Sequence, residues 1–382
     1  MPPVGSPDRS GHGAVIMRSI IWGAAALVLA ACGADRSAAK TGGDPARSEK
    51  DETAPVAGPA VASETRMFRD WTATCDNGNN CVATGPASTG TGWIQVGVNA
   101  GGDSLRSVAV GFWPDSGSDV AGPITVRIDG ATFITDQSME QGTGQFVKDA
   151  PGAIAALASS RSIALEAGGE NVALSPTGAA AALLWIDERQ GRLDTTTALV
   201  RKGSRPATSV PPEPALPRVV PASEADQTGF GDSGQTLPAA IEKTAEAKEC
   251  RADTEFSPAI QAEVQSARLG PSTELWGVPC FIGAYNTGMR YFLTGPGGSR
   301  PRMITFQGTD QPNDTLTNAG YDPTDQTISQ FAKGRGIGDC GVASTWVWTG
   351  RDFVLKMESR MGQCWGVPSD LWPTTWRTLS DE

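Results

Sequence analysis

Residues 344–359 have the sequence STWVWTGRDFVLKMES, and this stretch decides the fold class. Two runs rich in β-branched and aromatic residues meet at the turn dipeptide Thr349-Gly350, which predicts a β-hairpin. Successive side chains of a strand point to opposite faces of its sheet. The second run therefore predicts two opposite sets, Phe353, Leu355 and Met357 on one face and Val354, Lys356 and Glu358 on the other.

The same pattern recurs on both sides of this hairpin. MRYFLTG (289–295) and RMITFQG (302–308) are two strand candidates joined by a Gly/Pro loop, and ITVRIDG (124–130) alternates apolar and polar residues. We therefore expect a mainly β protein with a few helices (α+β). It comprises two disulfide-stapled antiparallel β domains, residues 66–206 and 246–382, joined by a Pro/Ser/Ala-rich linker, residues 207–245.

Two helices are predicted between these strands. Ser175 suits an N-cap and is followed by Pro176, with apolar residues at helical spacing from Ala179 to Ile186 and Gly191 to end the helix. Ser257 and Pro258 are expected to begin a second helix that opens the second domain.

The N-terminus predicts export. Residues 1–31 form a signal peptide with a short apolar run, Ile20 to Leu29, and the true start could be Met17. Leu29-Ala30-Ala31-Cys32 matches a lipobox, so we expect cleavage before Cys32 and lipid attachment to it. The alternative is ordinary cleavage after Ala31, which leaves a free cysteine. Residues 32–65 then form a flexible tether.

Six cysteines remain after Cys32, and an even number in an exported chain indicates three disulfides. Six cysteines allow 15 connectivities, and we favour sequence neighbours because each pair falls within one predicted module. These pairs are Cys75–Cys81, Cys250–Cys280 and Cys340–Cys364. A zinc site is disfavoured because no C-x-x-C spacing or accompanying histidine is present, and we predict neither a metal nor a cofactor.

The only histidine, His12, lies in the predicted signal peptide. The processed chain therefore lacks the base of Ser-His-Asp and Cys-His catalysis, so enzyme activity is disfavoured without being excluded. The formal net charge of −11 makes nucleic acid an improbable partner.

Two glycine-containing loops were weighed as binding motifs. CDNGNNC (75–81) predicts a hairpin tip with a type I′ turn at Asn77-Gly78, in preference to a calcium loop. GRGIGDCG (334–341) has the glycines of a phosphate loop, but a β-like run follows it instead of a helix. Close backbone approach beside Cys340 is favoured there, and Arg335 and Asp339 stay candidate lining of a polar pocket.

Aromatic and acidic side chains supply the other candidates. Trp346 and Trp348 share one strand face, so they are buried together or form an exposed binding surface together, and core packing is favoured. A glycosidase would need two carboxylates about 5–9 Å apart. The sequence offers Asp187-Glu188 and Asp352 with Glu358, and solvated acidic residues are the favoured interpretation.

Several fragments together resemble the proteobacterial exported proteins grouped as domain-of-unknown-function family 1176. They are FRDWTATCDN (68–77), DERQGR (187–192), GVPC (277–280) with AYN (284–286), GRGIGDCG, and WVWTGRDFVL (346–355). The resemblance implies location and architecture, and no activity comes with it. Tyr285 and Asn286, within these fragments, join the candidate binding residues. The run D-W-x-x-x-C also resembles the invasion-associated locus B proteins over a short stretch.

These observations favour a non-enzymatic envelope lipoprotein. We expect it to be held in the outer membrane by its lipid at Cys32, to face the periplasm, and to bind a glycan, a peptide or a protein. Two alternatives stay open, a carboxylate-dependent hydrolase of cell-wall polysaccharide and an inhibitor of an exogenous enzyme such as lysozyme.

Overall fold

A computed structural model describes residues 61–113, 120, 122–138, 144–223 and 229–380. The predicted signal peptide, Cys32 and nearly all of the predicted tether lie outside these residues. The described part is mainly β and is built on three antiparallel sheets, as the alternating patterns predicted. In the described part no helix is long and apolar enough to cross a membrane.

The first half of the chain forms a ten-stranded sheet. The strands are β1 (Glu64–Phe68), β2 (Trp71–Cys75), β3 (Cys81–Pro86), β4 (Gly92–Val98), β5 (Arg106–Phe112), β6 (Thr125–Ile128), β7 (Ala131–Ser138), β8 (Gly144–Val147), β9 (Ile163–Ala167) and β10 (Glu170–Leu174). Their spatial order is β1-β2-β3-β4-β5-β8-β7-β6-β9-β10, and a bridge between Ala87 and Leu174 brings the last strand back beside β3.

Two helices, α1 (Ala150–Leu157) and α2 (Ala179–Arg189), pack on this sheet. The apolar positions of α2 are buried as predicted, but the predicted N-cap is wrong. The helix begins after Gly178, whose φ of 109° is in the left-handed region, and Ser175 instead donates to Asp70 and accepts from Thr177. Ser175 and Pro176 thus belong to the preceding turn.

The CDNGNNC loop is a hairpin tip, but its turn differs from the prediction. Neither Asn77 nor Gly78 has the positive φ that a type I′ turn requires, whereas Asn79 has φ 64°. The Asp76 carboxylate accepts from the N–H groups of Gly78 and Asn80, each at 2.8 Å. Those bonds stabilise a three-residue loop that ends in a left-handed residue.

The second half contains two five-stranded antiparallel sheets that pack face to face over an aromatic core. Ring centroids of Phe306 and Trp346 lie 5.0 Å apart in this core, and those of Tyr291 and Phe306 lie 5.9 Å apart. One sheet comprises β12 (Gln265–Gly270), β13 (Thr273–Ile282), β14 (Thr287–Gly295), β15 (Ser299–Met303) and β16 (Leu316–Thr317). The other comprises β17 (Gly320–Asp322), β18 (Thr327–Lys333), β19 (Gly341–Trp348), β20 (Phe353–Met361) and β21 (Thr374–Arg377).

Short helices precede the second pair of sheets. They are α3 (Ala239–Glu242), α4 (Ala245–Asp253) and α5 (Pro258–Gln261). The helix predicted at Ser257 is present but ends after one turn, and Ser257 makes no side-chain capping bond. The longer α4, which the sequence analysis missed, contributes Cys250 to the interior.

The predicted linker takes part in the packing. Val210, Leu237 and Ile241 are buried, and β11 (Arg218–Val219) pairs in parallel with β22 (Leu379–Ser380). Each half keeps a core of its own, and the described residues form one compact unit. The domain boundaries at 206 and 246 stay predictions.

Three disulfides brace the fold. They join sequence neighbours, as favoured above: Cys75–Cys81, Cys250–Cys280 and Cys340–Cys364.

Candidate functional site

Three adjacent cavities surround the segment between β15 and β16, residues 304–315. Their volumes are about 620, 410 and 380 Å³. We call them the apolar, charged and hydroxyl cavities, and together the groove. Gly308 lines the apolar and charged cavities, Thr309 lines the apolar and hydroxyl cavities, and Asp310 and Arg360 line the charged and hydroxyl cavities. These shared lining residues place the three cavities side by side along the segment.

The apolar cavity has an aromatic wall. Trp376 lines it beside Phe353 and Leu355 of β20. The indole N–H of Trp376 donates to the Leu355 carbonyl at 3.2 Å, which fixes the orientation of the ring. At the rim the Arg302 guanidinium pairs with the Asp352 carboxylate at 3.0 Å. The cavity thus combines an apolar aromatic surface with a polar edge, as many small-molecule sites do.

A β-bulge places Glu358 in the charged cavity. Strand β20 pairs Leu355 with Trp346 and Met357 with Thr345, so Lys356 is an extra residue on β20. A bulge of this kind reverses which face the following side chains occupy. The alternation predicted through Met357 and Glu358 is therefore wrong, since Met357 is 50% exposed and Glu358 is 2% exposed.

Hydroxyl groups surround the Glu358 carboxylate. Thr375 donates to it at 2.9 Å and Ser344 at 3.4 Å, and Thr309 makes a further short bond. These donors satisfy a carboxylate that is almost removed from water, which would otherwise be costly.

Arg360 lies between two acidic residues of the charged cavity. One of its terminal nitrogens pairs with Asp310, and the other lies 3.6 Å from the nearer Glu358 oxygen. A glycosidase holds a water or the scissile oxygen between its two carboxyl groups. Here the Arg360 guanidinium lies between the two carboxylates and occupies that position.

Threonine side chains line the hydroxyl cavity. Thr65 of β1 is paired with Thr74 of β2, and Met67 with Thr72, so all four share one face of the hairpin. The Thr65 and Thr74 hydroxyls lie 2.9 Å apart. This hairpin face lies across the cavity from Thr309, so the first half of the chain contributes to the groove.

Four of the candidate residues from the sequence meet elsewhere, at the loop 334–341. Arg335 makes a bidentate contact with Asp339 at 2.7 and 2.6 Å, and Gly366 N–H donates to the same carboxylate at 2.7 Å. Burial by itself would raise the pKa of Asp339, but the Arg335 guanidinium and the Gly366 N–H together hold it below its usual value. The pair therefore braces the loop beside the Cys340–Cys364 disulfide.

The other two candidates support the same loop. Tyr285 donates its hydroxyl to the Gly334 carbonyl at 3.1 Å, and Asn286 donates to the Lys333 carbonyl at 2.9 Å. A Cβ at Gly334 would lie 2.8 Å from the Cys340 sulfur, so glycine permits the close approach expected there. Asp339 also lies near both cysteine sulfurs, but the disulfide leaves neither sulfur as a thiolate for a metal.

Trp346 and Trp348 belong to the core. Each is 2% exposed, and the Trp346 indole N–H donates to the Gln307 carbonyl at 2.7 Å. Trp346 borders the charged cavity while it holds the segment around which the groove runs. The favoured interpretation of the sequence thus agrees with the structure.

The acidic pairs considered from the sequence do not face each other. Asp187 is buried and accepts from Leu199 and Val200 N–H groups, and burial raises its pKa; Glu188 is exposed. Asp352 lies at the surface with Arg302, six positions before Glu358 and roughly 20 Å away along an extended chain.

Sequence reasoning missed most of the groove. Thr309, Asp310, Arg360 and Trp376 are all absent from the candidate residues that the sequence indicated. A weak signal was available, since Glu358 and Arg360 are charged residues within an otherwise strand-like run.

Comparisons with known proteins give the family and little more. A family model described as "Protein of unknown function (DUF1176)" matches residues 65–379. The chain is 30% identical over 343 residues to a protein of Escherichia coli (strain K12) described as "Uncharacterized protein YpfG", covering 83% of this chain and 94% of that relative. A crystal structure of invasion associated protein B from Bartonella henselae is 18% identical and covers 34% of this chain and 99% of its own, with a TM-score of 0.27, which supports no structural argument.

Proposed function

The chain belongs to the DUF1176 family of proteins of unknown function, and we propose that it acts as a non-enzymatic binding protein of the bacterial cell envelope. The observation that supports this proposal is the groove. Its apolar cavity alone has about 620 Å³, within the range of roughly 300–1,000 Å³ typical of ligand sites. An aromatic wall and a few polar groups are the usual composition of such a site.

The hydrolase alternative lacks comparable support. Two acidic residues of the charged cavity, Asp310 and Glu358, both contact Arg360. A catalytic pair needs one protonated carboxyl group and room for the reacting atoms. The Arg360 guanidinium, which bridges Asp310 and Glu358, occupies the room that the reacting atoms would need.

A thermal-shift screen of the purified, oxidised protein tests ligand binding. The panel comprises cell-wall fragments, neutral and charged glycans, and peptides. A ligand at a hundred times its Kd stabilises the folded state by about 2.7 kcal/mol, enough for a shift of several degrees. Trp376→Ala should abolish the shift. Phe256→Ala is the matched control, because this aromatic side chain is 72% exposed and does not line the groove.

The absence of a thermal shift with every ligand of the panel would count against a role in binding small ligands. A shift that survives Trp376→Ala would place the binding site elsewhere on the molecule.

The proposed location rests on the sequence LAAC at positions 29–32. We propose that Cys32 carries the lipid and that Gly33, in place of Asp, directs the protein to the outer membrane. Cells that express either the unchanged chain or its Cys32→Ser variant are fractionated. We expect the unchanged chain in the membrane fraction and the variant in the soluble fraction. Equal distribution of both proteins would contradict a lipid anchor.

A further inference from the structure

We infer that the groove binds an uncharged polysaccharide strand, with successive sugars in the apolar, hydroxyl and charged cavities. This inference rests on the proposed binding function and names its ligand class. Each of the three cavities has a volume in the small-molecule range, and neighbouring cavities share lining residues. A chain of similar units fits such a row of sites better than one compact ligand does.

The apolar cavity supplies a stacking surface for one sugar ring. The face of an indole is electron-rich, and one face of a pyranose presents weakly positive C–H groups to it. Because the Trp376 N–H is already bonded to Leu355, a sugar that stacks on the ring need not supply a partner for this N–H. Arg302 and Asp352 at the rim offer a donor and an acceptor for sugar hydroxyls.

The hydroxyl cavity suits the same chemistry. Thr65 is exposed and Thr72 is half-buried, so their hydroxyls can reach a ligand, and Thr309 lies opposite them. A hydroxyl both donates and accepts hydrogen bonds, which matches the mixed donors and acceptors of a sugar.

Charge pairing argues for an uncharged polymer. Every charged side chain that lines the groove in the described part of the chain has an opposite partner. Arg302 pairs with Asp352, Arg360 with Asp310 and Glu358, and Glu64 with Arg189 at 2.9 Å. A charged ligand would have to compete with these pairs or lose its hydration without compensation.

The orientation of the first hairpin argues against a peptide. One common mode of peptide binding adds an extended strand to a sheet edge through main-chain hydrogen bonds. The groove meets the hairpin through Thr65, Met67, Thr72 and Thr74, which lie on its face. A ligand that lies on a sheet face depends on side-chain contacts, which suits a glycan.

Isothermal titration with defined oligomers tests the inference. The probes are neutral glucose and N-acetylglucosamine oligomers of two and six units, a hexamer of galacturonic acid as charged glycan, and an uncharged hexapeptide. We expect a neutral hexamer to bind at least tenfold more tightly than its dimer and to be insensitive to salt between 50 and 500 mM. Trp376→Ala should weaken binding at least tenfold, and Thr72→Val about threefold, while Phe256→Ala leaves it unchanged.

Preferential binding of the charged hexamer or of the peptide, lost in Trp376→Ala, would overturn the inference and leave the proposed binding function intact. Equal affinity for the dimer and the hexamer would overturn the three-cavity arrangement. No heat with any probe, together with no thermal shift across the full panel, would overturn both proposals.

Discussion

Replacing Arg377 by Met should destabilise the protein, because the substitution removes the partner of Asp76, a buried residue 301 positions earlier in the chain. The Arg377 Nε contacts the buried Asp76 carboxylate at 2.5 Å, which links β21 to the loop between β2 and β3. The Arg377 backbone also exchanges two hydrogen bonds of 2.9 Å with the Asn77 side chain. Methionine keeps the backbone and most of the side-chain volume, so the substitution removes chiefly the charge.

The size of the loss in the free energy of unfolding depends on the hydrogen bonds that Asp76 keeps in the variant. Removing one partner of a buried ion pair costs about 3–5 kcal/mol. Two features reduce this cost: the Arg377 side chain is 26% exposed, and Asp76 keeps its bonds from the N–H groups of Gly78 and Asn80. We expect the free energy of unfolding to fall by about 2–3 kcal/mol.

Urea unfolding with the disulfides intact measures this change. Arg351→Met is the matched control, because Arg351 is 93% exposed and should show no resolvable change. In the double variant with Asp76→Asn, the loss should be smaller than the sum of the single losses, because no unpaired carboxylate stays buried. Equal stability of Arg377→Met and the wild type would refute the dependence of Asp76 on this guanidinium.

Three further outcomes are expected. Gly178→Ala should lower the free energy of unfolding by at least about 2 kcal/mol in the same assay, because a Cβ would lie 1.8 Å from the Phe68 carbonyl oxygen at a φ of 109°; a neutral change would contradict this. Mild reductant should open Cys340–Cys364 first, since Cys364 is exposed and the other two disulfides are buried; alkylation and peptide mapping would detect the order. The pKa of Asp339 is lowered in the fold, so its stabilising contribution is present above the unfolded value of about 3.9 and lost as pH falls toward the folded value. Asp339→Asn should therefore flatten the acid side of a stability-versus-pH curve, and an unchanged curve would count against the assignment.

Local sequence patterns were sufficient for the elements whose cause is local. The alternating runs became strands, the apolar spacing from Ala179 to Ile186 became α2, and cysteines close in sequence became disulfide partners. Each of these depends on residues within one element or one module. The convergence of Tyr285 with the loop 334–341 could not be derived in this way, because it depends on how two sheets pack.

The groove shows most clearly what local sequence patterns do not determine. By itself the sequence determined that β20 is a strand, and it predicted that Lys356 and Glu358 share the face opposite Met357. Only pairing with β19 decided that Lys356 is an extra residue, which moved Glu358 inward and Met357 outward. A bulge is set by the register between two strands, and β20 alone does not specify its partner's register. The hydroxyl cavity likewise exists only because the hairpin of β1 and β2, far earlier in the chain, lies beside Thr309 and Thr375.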